Sequence, residues 1–235
     1  RALEKEEIQA VEQKDRYLVP GLPLKRSVIV DISGGGLRFM SDQRYEPDSL
    51  IYCTYRLSHH DMNKDVITLL LPGRINDQKQ QLEIVKQLKG KIDRRIKLRF
   101  AGDGAKLEEL KELCGEDLQF EVLGFRSDVY ELMEKADYVL LFSLHEGLPI
   151  TLIEASMLST PIICSNVGGN PEICHHGING WVLNDWEELI ETINHLPNVT
   201  NDEYKRMCSE SRRIYEENFT FETFKKNYLD LLKTI

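Results

Sequence analysis

Two glutamates bracket the run Glu146-Gly147-Leu148-Pro149-Ile150-Thr151-Leu152-Ile153-Glu154, and each could accept hydrogen bonds from sugar hydroxyls. Gly147 permits a tight turn after a strand, and Pro149 suits the first turn of a helix, where its missing N–H costs nothing. The amides of Leu148, Ile150 and Thr151 then stand free at the positive end of a helix dipole, which attracts a diphosphate. Glu146 falls in the loop facing the cleft, and Glu154 falls about one turn inside the helix, within reach of a ribose. Upstream, Gly73-Arg74 and Lys79 offer fixed positive charge, the arginine as a planar fork and the lysine as a compact cation. No Asp-x-Asp occurs anywhere in the chain, so Arg74, Lys79 and the helix end are expected to stabilise a departing diphosphate without a metal. The plainer alternative makes these residues a loop acid, a helix-face acid and two solvated cations. His145, beside Glu146, is a weaker candidate for a sugar-facing role. The adjacent pairs His59-His60 and His175-His176 have no regular ligand set around them and argue against a metal site.

Short apolar runs at 66–71, 96–100, 119–123, 138–142 and 161–164 alternate with amphipathic stretches such as Leu107, Leu110 and Leu113, spaced as on one helix face. That alternation predicts an α/β fold, a parallel sheet covered on both faces with its ligand at the carboxyl ends of the strands. Helices are expected at 186–196, 202–218 and 221–232, the last capped by Thr220.

The Glu146 to Glu154 block resembles the E-x7-E motif of family 4 glycosyltransferases, enzymes built from two Rossmann-type domains (the GT-B fold). Several further motifs fall in that family's order: Leu71-Pro72-Gly73-Arg74 with Lys79, Ala101-Gly102-Asp103-Gly104, Leu123-Gly124-Phe125, Ala136-Asp137 and Val167-Gly168-Gly169-Asn170-Pro171-Glu172. The resemblance covers position 66 to the C-terminus. It implies a Rossmann-like, doubly wound sheet equivalent to the C-terminal half of that fold, and a nucleotide-sugar donor whose sugar is transferred, with retention of configuration, to a glycan, lipid or small acceptor. It also implies diphosphate contacts from Arg74 and Lys79 and nucleobase contacts from the backbone around Gly124 and Phe125. No separate cofactor is implied. Leu158-Ser159-Thr160-Pro161 departs from the family, which usually has a glycine before Thr-Pro. Residues 1–60 show no counterpart of the family's N-terminal Rossmann domain.

Residues 1–60 follow a different pattern, with a charged helical start, a turn at Pro20-Gly21-Leu22-Pro23 and strands at 27–31, 37–40 and 50–57. Asp31-Ile32-Ser33-Gly34-Gly35-Gly36 is similar to the D-x-S-x-x-G motif of PilZ domains, which bind cyclic di-GMP. The companion arginine pair is broken, since Arg16 is followed four positions later by Pro20. At most weak binding of a cyclic dinucleotide is therefore expected, and Gly34-Gly35-Gly36 serves equally well as a hairpin or bulge. The polar stretch 58–65 reads as a linker, placing a small β-rich segment at 1–60 ahead of the α/β domain at 61–235.

The formal charge of −9 lies mostly after residue 65 and disfavours nucleic acid as a partner, because phosphate neutralisation needs a basic face. No apolar run approaches the ~18–20 residues of a membrane span. Cys53, Cys114, Cys164, Cys174 and Cys208 form no C-x-x-C pair and are read as reduced thiols of a cytoplasmic protein. The chain begins at Arg1, which points to an upstream segment that was removed. Two other readings remain open: a regulatory module sensing a cyclic dinucleotide, and an artificially joined chimera without activity.

Overall fold

The computed structural model describes residues 27–33, 36–41 and 65–233, and the chain divides into two compact units, Arg1–His59 and His60–Ile235. In the first unit β1 (Ser27–Ser33) and β2 (Gly36–Ser41) pair antiparallel, with Ser33 opposite Gly36 and a register shift between Ile29 and Asp31. The expected helical start, the proline turn, Gly34, Gly35 and the strand at 50–57 lie outside the described residues.

The second unit is built on six parallel strands, β3 (Ile67–Pro72), β4 (Ile96–Ala101), β5 (Phe120–Gly124), β6 (Tyr138–Leu141), β7 (Ile162–Ser165) and β8 (Gly180–Leu183), in the order β5-β4-β3-β6-β7-β8. Between them run α1 (Gln81–Leu88), α2 (Leu107–Cys114), α3 (Val129–Lys135), α4 (Ile150–Met157) and the single turn α5 (Asn170–Ile173). After β8 come α6 (Trp186–His195), α7 (Asn201–Asn218) and α8 (Phe221–Leu232).

Successive residues of a strand point to opposite faces, and the apolar sequence satisfies both. Leu69, Leu71, Tyr138 and Leu140 pack with Leu82, Val85 and Leu88 of α1, Leu110 of α2 and Leu189 of α6. Leu70, Val139 and Leu141 pack with Leu132 and Met133 of α3, Leu152 and Ala155 of α4 and Ile173 of α5. The sheet is thus the doubly wound, Rossmann-like one expected from the alternation of elements. Its order reverses between β3 and β6, which makes their carboxyl ends the switch point where such sheets bind ligands.

β8 was not anticipated. It has four residues and begins at Gly180, where a Cβ would lie 1.8 Å from the Ile162 carbonyl oxygen, so a glycine is required for the strand to dock on β7. At the amino ends of β3 and β6 the buried Asp137 accepts a 2.7 Å hydrogen bond on Oδ2 from the Thr68 amide, and its own amide donates to the Thr68 carbonyl at 2.9 Å. The Tyr204 hydroxyl of α7 donates to the Asp137 carbonyl at 2.7 Å. Thr220 caps α8 as expected, its Oγ1 accepting from the Thr223 amide at 3.2 Å.

Cys114, Cys164, Cys174 and Cys208 are free and buried, and burial pushes the Cys114 thiol up to about 11 and the Cys208 thiol up to about 12. Among the described residues no helix is long and apolar enough to cross a membrane.

Candidate functional site

Two loops leave the sheet at the switch point, residues 73–80 after β3 and 142–149 after β6. Gln78 holds them together through its side-chain amide on the His145 carbonyl at 2.9 Å, while its own carbonyl accepts from the Leu144 amide at 2.9 Å. Gln80 adds a 3.2 Å hydrogen bond to the Phe142 carbonyl from a left-handed backbone (φ 55°). Non-glycine residues hold that conformation only where surrounding contacts over-determine it, and here those contacts sit at the mouth of the cleft.

On this scaffold Lys79 and Glu146 meet. Lys79 Nζ lies 2.5 Å from Glu146 Oε1, with the side chains 17% and 7% exposed. Gly73, at the start of this loop, has φ +148°, a backbone conformation that favours glycine, while a Cβ there would meet Lys79 Cε at an ordinary 3.9 Å. Arg74 is exposed, and its guanidinium makes no hydrogen bond or ion pair among the described residues; only its carbonyl is engaged, by the Gln81 side chain at 2.9 Å. Lys79 is thus brought onto Glu146, and Arg74 is left available at the rim. His145 is exposed and its ring makes no hydrogen bond among the described residues.

Gly147, expected to relieve a tight turn, has no positive φ and open space where its Cβ would stand. The glycine requirement lies instead in the loop after β7. A Cβ on Gly168 (φ +51°) would lie 1.8 Å from the Glu146 carbonyl oxygen, and one on Gly169 would lie 2.5 Å from that of Gly147. The Gly169 amide also donates to the Gly147 carbonyl at 2.6 Å. Val167-Gly168-Gly169 is therefore the surface against which the Glu146 backbone is pressed.

Helix α4 starts one residue later than expected. Pro149 is buried at the cap position with extended backbone (ψ 115°), and its carbonyl accepts from the Leu152 and Ile153 amides at 3.1 and 3.4 Å. No side chain caps this end and no acid lies in its first turn. The amides of Ile150 and Thr151 thus lack a helical partner by construction. Leu148 (46% exposed) and Ile150 (68%) leave the helix mouth open to ligand or solvent. Glu154, one turn in, accepts a 2.8 Å hydrogen bond on Oε1 from the Tyr130 hydroxyl of α3. Gly124 turns the chain after β5 with φ +67°, leaving the Phe125 ring 76% exposed, and the Gly124 carbonyl accepts from the Gly102 amide at 2.8 Å.

A cavity of about 600 Å³ lies elsewhere, along β8, lined by residues including Asn166, His175, Trp181, Asn184 and Glu191. It shares no residue with the Lys79 and Glu146 loops, so volume and chemistry point to different places; the convergent charges favour the switch point. Among the described residues no cluster of three or more His, Cys, Asp or Glu is placed to hold a metal ion. Sequence reasoning missed Gln78, Gln80 and Tyr130, whose partners lie far along the chain. Gly168 and Gly169 were noticed as a motif without a role.

EpsD of Bacillus subtilis (strain 168), which carries a glycosyltransferase name, is 28% identical over 200 residues, covering 80% of this chain and 51% of its own. UDP-Gal:alpha-D-GlcNAc-diphosphoundecaprenol alpha-1,3-galactosyltransferase of Escherichia coli is 28% identical over 159 residues, covering 64% of this chain and 40% of its own. The chain therefore spans about half the length, or less, of these curated relatives. The crystal structure of Anabaena Alr3699/HepE in complex with UDP shares the fold, with a TM-score of 0.66 and 22% identity over 73% of this chain and 50% of that one. Residues 58–214, more than half of the chain, match the sequence profile of glycosyl transferases group 1, and the chain belongs to that family.

Proposed function

We propose that this chain is the donor-binding half of a retaining, metal-independent glycosyltransferase of the family 4 type, which moves a sugar from a nucleotide-sugar to a glycan, lipid or small acceptor. The observation that carries the reading is the Lys79 and Glu146 ion pair, set across the switch point beside the uncapped end of α4. Cleavage of the anomeric carbon–oxygen bond leaves its electron pair on the diphosphate, and Arg74, Lys79 and the α4 amides are suited to that charge without reorganising. Lys79 has three donors and can hold Glu146 and a phosphate oxygen together. Glu146 accepts from hydroxyls of the transferred sugar, Glu154 from the ribose, and the backbone around Gly124 and Phe125 meets the base. Neither carboxylate is assigned as a nucleophile. The E. coli relative's name gives UDP-Gal as its donor and a diphosphoundecaprenol-linked sugar as its acceptor, which makes UDP the first nucleotide to test and a lipid-linked glycan the first acceptor.

Calorimetric titration with UDP, GDP, ADP and cyclic di-GMP in excess chelator tests the reading. A nucleoside diphosphate should bind, and cyclic di-GMP should bind weakly or not at all. Arg74→Ala should weaken the diphosphate far more than the free nucleoside. Binding that vanishes with chelator, or equal losses on both ligands, contradicts the metal-free diphosphate site. A submicromolar Kd for cyclic di-GMP would instead revive a regulatory role for residues 1–60.

A further inference from the structure

Glu154 is oriented by a neighbour outside its own helix. Tyr130, early in α3, donates its hydroxyl to Glu154 Oε1 at 2.8 Å, while Oε2 has no hydrogen-bond partner among the described residues. Tyr130 is 51% exposed, so the bond stands at the surface, where a hydrogen bond contributes little to folding. The Glu154 hydrogen bond and charge raise the Tyr130 pKa above its ordinary value, so the hydroxyl remains a donor through the neutral range. A free glutamate samples several rotamers, and a ligand that uses it must first order it. The tyrosine removes that cost in advance and leaves the second oxygen to the ligand.

We propose that Tyr130 is a positioning residue that makes nucleoside diphosphate binding depend on the ribose hydroxyls, by holding Glu154 toward them. This rests on the reading of Glu154 given above. It adds a residue on a different helix whose effect must be selective for one part of the ligand. A mere tie between α3 and α4 has no such selectivity.

The test is titration of the wild-type chain, Tyr130→Phe and Glu154→Gln with UDP and with 2′,3′-dideoxy-UDP, together with thermal melts; if UDP does not bind, the same pairs are run with GDP and ADP. Tyr130→Phe should weaken the ribonucleotide roughly two- to tenfold, leave the dideoxy analogue unchanged and leave the melting temperature near that of the wild type. Equal losses on both ligands, or none on either, overturn the proposal. If Glu154→Gln also fails to distinguish the two ligands, the ribose role of Glu154 is wrong and this proposal falls with it. A selective Glu154→Gln beside a silent Tyr130→Phe rejects the tyrosine alone. No binding of any diphosphate by the wild type rejects the functional reading itself.

Discussion

Strands β3 and β6 are pinned at both ends by an acid, and the two acids live under opposite conditions. At the amino ends Asp137 is fully buried, takes the Thr68 amide on its carboxylate and is backed by Tyr204. At the carboxyl ends Glu146 faces Lys79 with both side chains largely but not fully buried, beside an uncapped helix and an exposed arginine. An acid surrounded by neighbours that satisfy it has no capacity left for a ligand and serves the fold. A pair at the switch point, next to donors without partners among the described residues, keeps that capacity. The difference lies in the surroundings, since both are carboxylates and both flank the same two strands.

Five substitutions test this contrast and the elements around it, from the largest effect to the smallest. Asp137→Ala strands a buried amide and opens a void, and should lower the unfolding free energy by roughly 2–4 kcal/mol in denaturant titration. A loss under about 0.5 kcal/mol would mean that the amino-end acid is not structural. Lys79→Met should act mainly on ligand, weakening the nucleoside diphosphate by about 1.5–3 kcal/mol in calorimetry, with a smaller loss of stability from the unpaired Glu146. The reverse ranking would make Lys79 a structural cation and dissolve the comparison. Its counterpart Glu146→Gln releases Lys79 from a competing charge, so the bare diphosphate should bind as tightly as before or more so while the intact nucleotide-sugar binds less well. Weaker binding of both ligands would show that Glu146 supports the loop and does not read the sugar.

Tyr204→Phe removes one buried donor behind Asp137 and should cost about 1 kcal/mol of stability with no change in nucleotide affinity. The smallest effect is a gain. Ser159 follows α4 at φ +62°, a backbone conformation that favours glycine, and Ser159→Gly should stabilise by roughly 0.5–1 kcal/mol in the same denaturant assay. A destabilised variant would mean that the serine makes a compensating contact.

The order of elements in residues 65–233 was legible because apolar periodicity is a local property: five of the six strands and the three C-terminal helices follow from runs and caps that neighbouring residues define. The candidate residues were legible by type, since a glycine, a proline and two acids in one short run already imply a strand-to-helix turn with polar function. What tertiary structure alone decided is pairing. That Lys79 and not Arg74 meets Glu146, that Gly168 rather than Gly147 bears the close backbone approach, and that Tyr130 hydrogen-bonds Glu154 all depend on atoms 22 to 67 positions apart in the chain. Such contacts leave no periodic trace, because each is a single hydrogen bond or a single missing Cβ. They exist only once the sheet has placed the carboxyl ends of β3, β6 and β7 side by side.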